Sequence, residues 1–253
     1  MDEKNVAALN GMGLITQWIE WDYIKAEEYY LRTIDNPELQ WSFTDAYPYF
    51  LIQMNRPADA REMISNRKQL LGSAYNNFST IQTHILSGDS VEVYDLIKKF
   101  LISFGEPEYN SAGDIYIWLG EYDSAKFYLE SALQSAAAQM AIPRWQSALA
   151  CAYYHTGDHE QAQLIINELS HKSDTTSVGS PAFFIGWYYS SIGEMDSAFY
   201  WLEKAFNNRS IEMPWLKVNP AFDSLKDDER YWDLYERTGH KAYDDYIASN
   251  EPK

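Results

Sequence analysis

Cys151, His155 and His159 follow one another at intervals of four residues. On a helix, Cys151 and His155 share a face one turn apart, which suits a thiolate–imidazole pair or two metal ligands. His159 lies beyond Gly157, where a helix has already turned, and Asp158 stands ready to complete a ligand set. The plainer reading is a small cysteine facing a groove, with histidines in a solvated turn. Spacing alone favours it, because such matches arise often by chance. The metal or thiol site around Cys151 and His155, with the enzymatic role it implies, is therefore carried as the alternative.

Other patterns lead less far. Gly11-Met12-Gly13 has no third glycine and no preceding strand, so close helix packing suits it better than phosphate binding. Ser65-Asn66-Arg67-Lys68 matches Ser-x-x-Lys without the companion motifs of an acylating serine. There is no Gly-Lys-Ser/Thr, His-Glu-x-x-His or Gly-x-Ser-x-Gly. The carboxylates Glu27-Glu28, Asp227-Asp228-Glu229 and Asp244-Asp245 are sequence neighbours. Neighbours point to different sides of a helix, so these are not paired acids and bases. The expectation is no catalytic residue, no metal and no cofactor.

The elements that must position these residues are helices in pairs. Three segments superimpose: 112–133, 149–169 and 185–206. Each has a small residue (Gly113, Ala150, Gly186), then an aromatic (Tyr116, Tyr153, Tyr189), then a glycine (Gly120, Gly157, Gly193). An alanine follows (Ala125, Ala162, Ala198), and four residues on a large apolar side chain (Leu129, Ile166, Leu202). The small residue and the alanine let two antiparallel backbones approach. The glycine ends the first helix, where left-handed geometry is easy for Gly alone. Weaker copies in the same phase place Val93, Ala60 and Ala26 at the alanine position. Positions 26, 60, 93, 125, 162 and 198 are 34, 33, 32, 37 and 36 residues apart.

That period resembles the tetratricopeptide repeat of about 34 residues. The pattern predicts an all-α solenoid of about six helix pairs over 1–210, with turns near 21, 55, 88, 120, 157 and 193. Segment 211–253 is expected to cap the last repeat with a helix from about Asp227 to Thr238, followed by a tail that forms a short helix frayed at its end. Pro48 occupies the small-residue position of the second pair, leaving the pairing of the second and third repeats open.

Two segments resemble the C-terminal repeat arm of bacterial winged-helix regulators, nucleotide cyclases and Ser/Thr kinases with a TolB-like region. One is 18–37, with its aromatic-Asp-aromatic opening at Trp21-Asp22-Tyr23. The other is 198–239, with Asn219-Pro220-Ala221-Phe222-Asp223-Ser224-Leu225 before an acidic stretch and a last helix. The resemblance implies a sensory or scaffolding arm without its effector, either a segment of a longer protein or a stand-alone repeat protein. It also implies a concave groove lined by the first helix of each repeat. The usual phase puts Tyr75, Phe78, Gln82, Asp114, Ile117, Trp118, Arg144, Cys151, Tyr154, His155, Phe183 and Trp187 there. A protein or peptide partner is expected in this groove, since aromatics and Arg dominate binding hot spots. A ligand carboxylate clamp is disfavoured, because it needs recurring Lys, Arg and Asn and Arg144 is the single one of these among the positions.

Composition narrows the partners. Twenty Lys and Arg against 37 Asp and Glu give a net charge of −17 over 253 residues. Such a chain repels phosphate backbones and anionic membranes. Hydrophobic residues make up 46%, enough for a core, and aromatics 16%. No apolar run approaches the ~18 residues of a membrane span, and the first residues lack a signal-peptide pattern. A cytoplasmic location is expected, or a periplasmic one if the arm follows a span in a longer protein. The first repeat shows no polar cap, which predicts an open end and self-association through it.

Overall fold

A computed structural model describes residues 5–34, 46–71, 78–105, 108–133 and 142–250. Among these residues every regular element is helical. The helices form six antiparallel hairpins. In chain order they are α1 (Val6–Ile15) with α2 (Tyr23–Ile34), α3 (Ala46–Gln53) with α4 (Pro57–Leu71), and α5 (Phe78–Leu86) with α6 (Ser90–Phe104). Then follow α7 (Tyr109–Trp118) with α8 (Tyr122–Leu133), α9 (Pro143–His155) with α10 (His159–Thr175), and α11 (Pro181–Ser191) with α12 (Met195–Asn207). The second and third pairs are thus α3/α4 and α5/α6. Pro48 lies in the first turn of α3, where a helix N–H has no partner to lose.

Each hairpin turns on one left-handed residue: Trp21, Asn55, Gly88, Gly120, Gly157 and Gly193 all have φ between 58° and 91°. The last five close with the same pair of bonds. At Gly120, its N–H donates to the Ile117 carbonyl at 3.1 Å and the Glu121 N–H donates to Tyr116 at 2.9 Å. This satisfies helix-end carbonyls that would otherwise be orphaned. Asp158 then caps α10, accepting from the Gln161 N–H at 3.4 Å.

Within the hairpins, Ala26, Ala60, Val93, Ala125, Ala162 and Ala198 are all fully buried. They sit where paired helices come closest. A Cβ added to Gly113 would lie 2.4 Å from Leu129 Cγ, so the glycine is a condition of that contact. Gly13 is in the same relation to the Tyr30 ring. The glycine-to-contact interval is one residue longer in the first hairpin (13 to 30) than in the fourth (113 to 129). The π-helical turn Thr16–Glu20 takes up the extra residue.

Successive first helices pack on one another, α3 on α5, α5 on α7, α7 on α9 and α9 on α11, forming the inner row. The segment after α12 does not simply cap the last repeat. Two 3-10 helices, Met213–Lys217 and Pro220–Asp227, run inside the curve. The first touches α3 and the turn 16–20, and the second lies along α11. Met213, Leu216, Phe222 and Leu225 are fully buried there. α13 (Glu229–Arg237) packs on α12, and α14 (His240–Asn250) reaches α2.

The tail forms the expected short helix, 11 residues to Asn250, with its Tyr243 buried. One expectation is corrected by this closure. The first repeat is not an open end. Trp21 packs on Phe206 with ring centroids 5.2 Å apart, and the Arg209 guanidinium lies 4.3 Å above the Trp21 ring. The curl of the stack brings the last elements to the first. The apolar flank of α2 is therefore covered by the chain's own C-terminal helices. First and last elements share one hydrophobic cluster that runs from Trp21 to Tyr243.

Candidate functional site

The inner helices and the returning segment enclose a cavity of about 280 Å³. α5 contributes Gln82, α7 contributes Asp114 and Trp118, α9 contributes Arg144, and α11 contributes Phe183 and Trp187. Six of the residues expected in the groove are thereby brought together. Helical spacing explains it: one inner face of each first helix points at the same axis.

Its electrostatic feature is an ion pair between adjacent inner helices. Arg144 Nε donates to Asp114 Oδ2 at 2.7 Å, with the Asp114 side chain 5% exposed and Arg144 32% exposed. Burial pushes the Asp114 carboxyl up to about 6, against the opposing pull of Arg144 and Trp145. The guanidinium also lies 5.4 Å over the Phe78 ring, so Phe78 borders the same region. Phe78, Trp118 and Arg144 are half-buried, whereas Gln82, Asp114, Phe183 and Trp187 are buried.

Part of the expected groove surface is covered from within. Trp118 meets Trp215 edge to face at 5.8 Å, and Phe183 meets Phe222 at 5.6 Å. Trp187 Nε1 donates to Asn219 Oδ1 at 3.2 Å, and that oxygen also accepts from the Ala221 N–H at 3.1 Å. Helix α11 is buried along most of its length for this reason.

The remaining expected residues lie elsewhere. Tyr75 falls outside the described residues. His155 stacks on Tyr122 at 3.9 Å and its Nε2 is 3.2 Å from the Ser191 carbonyl, at the turn edge of the stack. Burial lowers its pKa. Tyr154 packs against His159 and Tyr188. Cys151 is fully buried under a second hollow, which it shares with Trp118, Trp187 and Ser191. Its Sγ is 3.1 Å from Ser191 Oγ, and burial pushes the thiol up to about 12. That is the reverse of the depressed pKa an attacking thiolate requires. Among the described residues, no group of three His, Cys, Asp or Glu side chains converges as a metal site.

Repeat phase did not reveal the cavity residues outside the first helices, chiefly Trp18, Glu212, Trp215 and Asn219. A signal for the returning segment exists in the sequence. Met213, Trp215, Leu216, Phe222 and Leu225 are more apolar surface than a one-faced cap needs.

The family model of the tetratricopeptide repeat matches residues 109–139, which include all of α7 and α8. The fold is a tetratricopeptide-like solenoid. No curated protein matches the chain. Repeats of this kind are protein-interaction modules, and this stack has the architecture of one. No helix among the described residues is long and apolar enough to cross a membrane.

Proposed function

We propose that this chain is a non-catalytic binding arm of a larger bacterial signalling or transcription regulator. It takes a protein or peptide partner on its concave face, in the cytoplasm. The observation that carries this reading is the repeat at 109–139, set in a row of like hairpins whose inner helices leave Trp118 and Arg144 half-buried at one cavity, with Phe78 against Arg144 at its border. Large side chains held rigidly around a concavity supply contact area at small entropic cost. The chain's −17 charge favours a partner with basic or apolar contact residues over a nucleic acid. Because the segment 213–227 lies against α3 and α11, the partner's place is the inner surface left between them, on α5–α9.

The test is capture of partners from source cells by wild type and by a Phe78→Asp/Trp118→Ala variant with unchanged helicity. Specific partners should fall by about tenfold or more, as expected for two hot-spot side chains. Undiminished capture removes the concave face from this reading. An immunoblot of source cells tests the arm itself. A band much heavier than 29.4 kDa supports it, and a band at that mass means a stand-alone repeat protein.

A further inference from the structure

Two buried glutamines line the central cavity, and the chain treats them differently. Gln53 is 1% exposed, and its Oε1 accepts from Gln17 Nε2. Gln17 in turn accepts from the Tyr30 hydroxyl at 2.5 Å. Gln82 is also 1% exposed, yet neither its Nε2 nor its Oε1 has a hydrogen-bond partner among the described residues. Exchanging the two amide atoms by a flip changes nothing, because both are unpartnered. Two further buried atoms of the same lining share this state, Trp18 Nε1 and Glu212 Oε2.

Burying a polar atom without a partner costs about 1–3 kcal/mol, so four around one cavity is an expensive arrangement for a structural core. The other polar groups of the wall are engaged: Asp114 with Arg144, and Asn219 with Trp187 and Ala221. The remaining wall is largely aromatic, including Tyr49, Trp118, Phe183, Phe184 and Trp215. An apolar enclosure with a few convergent polar atoms is the usual make-up of a small-ligand site.

The four atoms comprise two donors, Trp18 Nε1 and one atom of the Gln82 amide, and two acceptors, Glu212 Oε2 and the other amide atom. A primary carboxamide has the complementary set, with two N–H donors and one carbonyl oxygen carrying two lone pairs. We infer that the cavity is a binding site for an uncharged planar ring bearing a carboxamide-type edge. The ring lies among the aromatic walls, and the edge pairs with Gln82, Trp18 and Glu212. The site does not depend on the protein-partner reading. The same chemistry could arrive as a free small molecule or as an aromatic residue of a peptide with its adjoining backbone amide.

The experiment is calorimetric titration of the full chain with three probes: benzamide, toluene as the ring without the edge, and N-acetylphenylalanine amide. Benzamide or the phenylalanine amide should saturate one site, at least about tenfold more tightly than toluene, because a site built for hydrogen bonds penalises a ligand that lacks them. Preference for benzamide assigns a free small molecule, and preference for the phenylalanine amide assigns a peptide residue. Gln82→Leu should abolish the preference over toluene. It should leave the thermal midpoint unchanged or higher, because it removes two unpartnered polar atoms. Should that variant fail to fold, Trp18→Phe removes one donor and should weaken carboxamide binding alone. The inference is overturned if neither carboxamide saturates up to about 10 mM, the weak limit for a fragment of this size. It is equally overturned if toluene binds as well as benzamide and Gln82→Leu changes neither.

Discussion

The Tyr243 hydroxyl donates to Glu27 Oε2 at 2.8 Å across 216 residues of sequence. Arg56 lies between them, donating to Glu27 Oε1 and, at 2.9 Å, to the Tyr243 oxygen. Tyr47 completes the set by donating to Glu27 Oε1 at 2.8 Å. A buried carboxylate on α2 is thus held by the second hairpin and the last helix together. It ties the closing helix to the opening repeats. Tyr243→Phe should lower unfolding stability by about 1–3 kcal/mol, the cost of leaving a charged acceptor short of a donor. Urea denaturation reads it, and an unchanged midpoint would show that closure does not rest on this bond.

His240 gives the same seam a pH dependence. Its ring is fully buried between Tyr23 and Tyr235, each 4.9 Å away, and its Nε2–H donates to the Pro214 carbonyl at 3.3 Å. Burial, aided by Lys217, pushes its pKa from 6.5 down to about 3, against the pull of Pro214 and Asp244. The unfolded chain therefore takes up a proton that the folded chain refuses. Stability is full above pH 6.5 and is lost as pH falls toward 3, by about 5 kcal/mol at the limit. Asp114 acts the other way. With its folded value near 6 against an ordinary 3.8, its contribution is present below 3.8 and lost as pH rises through 6. The two offset each other between pH 6 and 4, and below that range His240 acts alone. His240→Gln should reduce the fall in urea midpoint between pH 4 and pH 3. Parallel curves for variant and wild type would exclude this histidine as the source.

Gly239 and Gly88 share a left-handed backbone, with φ of 81° and 74°, but differ in surroundings. A Cβ at Gly88 meets nothing within 4 Å, whereas at Gly239 it would stand 2.2 Å from the Trp21 carbonyl oxygen. Gly88→Ala should cost about 1 kcal/mol, from backbone strain alone. Gly239→Ala should cost roughly 3 kcal/mol or more, because α14 must move off the first repeat. Thermal unfolding of the two variants side by side checks the difference, and equal losses would contradict the close approach.

Cys151 should resist alkylation. Its thiol is buried and held in the protonated form at neutral pH. Iodoacetamide should label it only as fast as the chain opens, with rates rising by orders of magnitude in denaturant. Rapid labelling of the native protein at pH 7 would revive the thiol-site alternative.

Much of the architecture is legible in the residues themselves. The small-aromatic-glycine-alanine spacing is local physics: where two helices touch, only a small side chain fits, and where a helix must stop, a left-handed residue is needed. Trp21 and Asn55 occupy that left-handed position without being glycine, and period arithmetic locates them where composition would not. The convergence of Gln82, Asp114, Trp118, Arg144, Phe183 and Trp187 is legible for the same reason, since each lies on the inner face of a first helix. Tyr154 and His155 depart from it because the turn edge at Tyr122 and Ser191 captures the end of α9.

What only the tertiary structure decided is the closure. Whether a curled stack ends open or meets its own tail depends on the summed small rotations between successive hairpins. No single repeat encodes that sum. The apolar residues of 213–225 can cover a last repeat or line an interior equally well. The contacts of 213–227 with α3 and α11 select the interior, and with it bring Glu212, Trp215 and Asn219 into the same cavity lining as Gln82. The repeat is written in neighbouring residues, whereas the cavity exists because residues some two hundred positions apart, Glu27 and Tyr243 among them, come to share one bond.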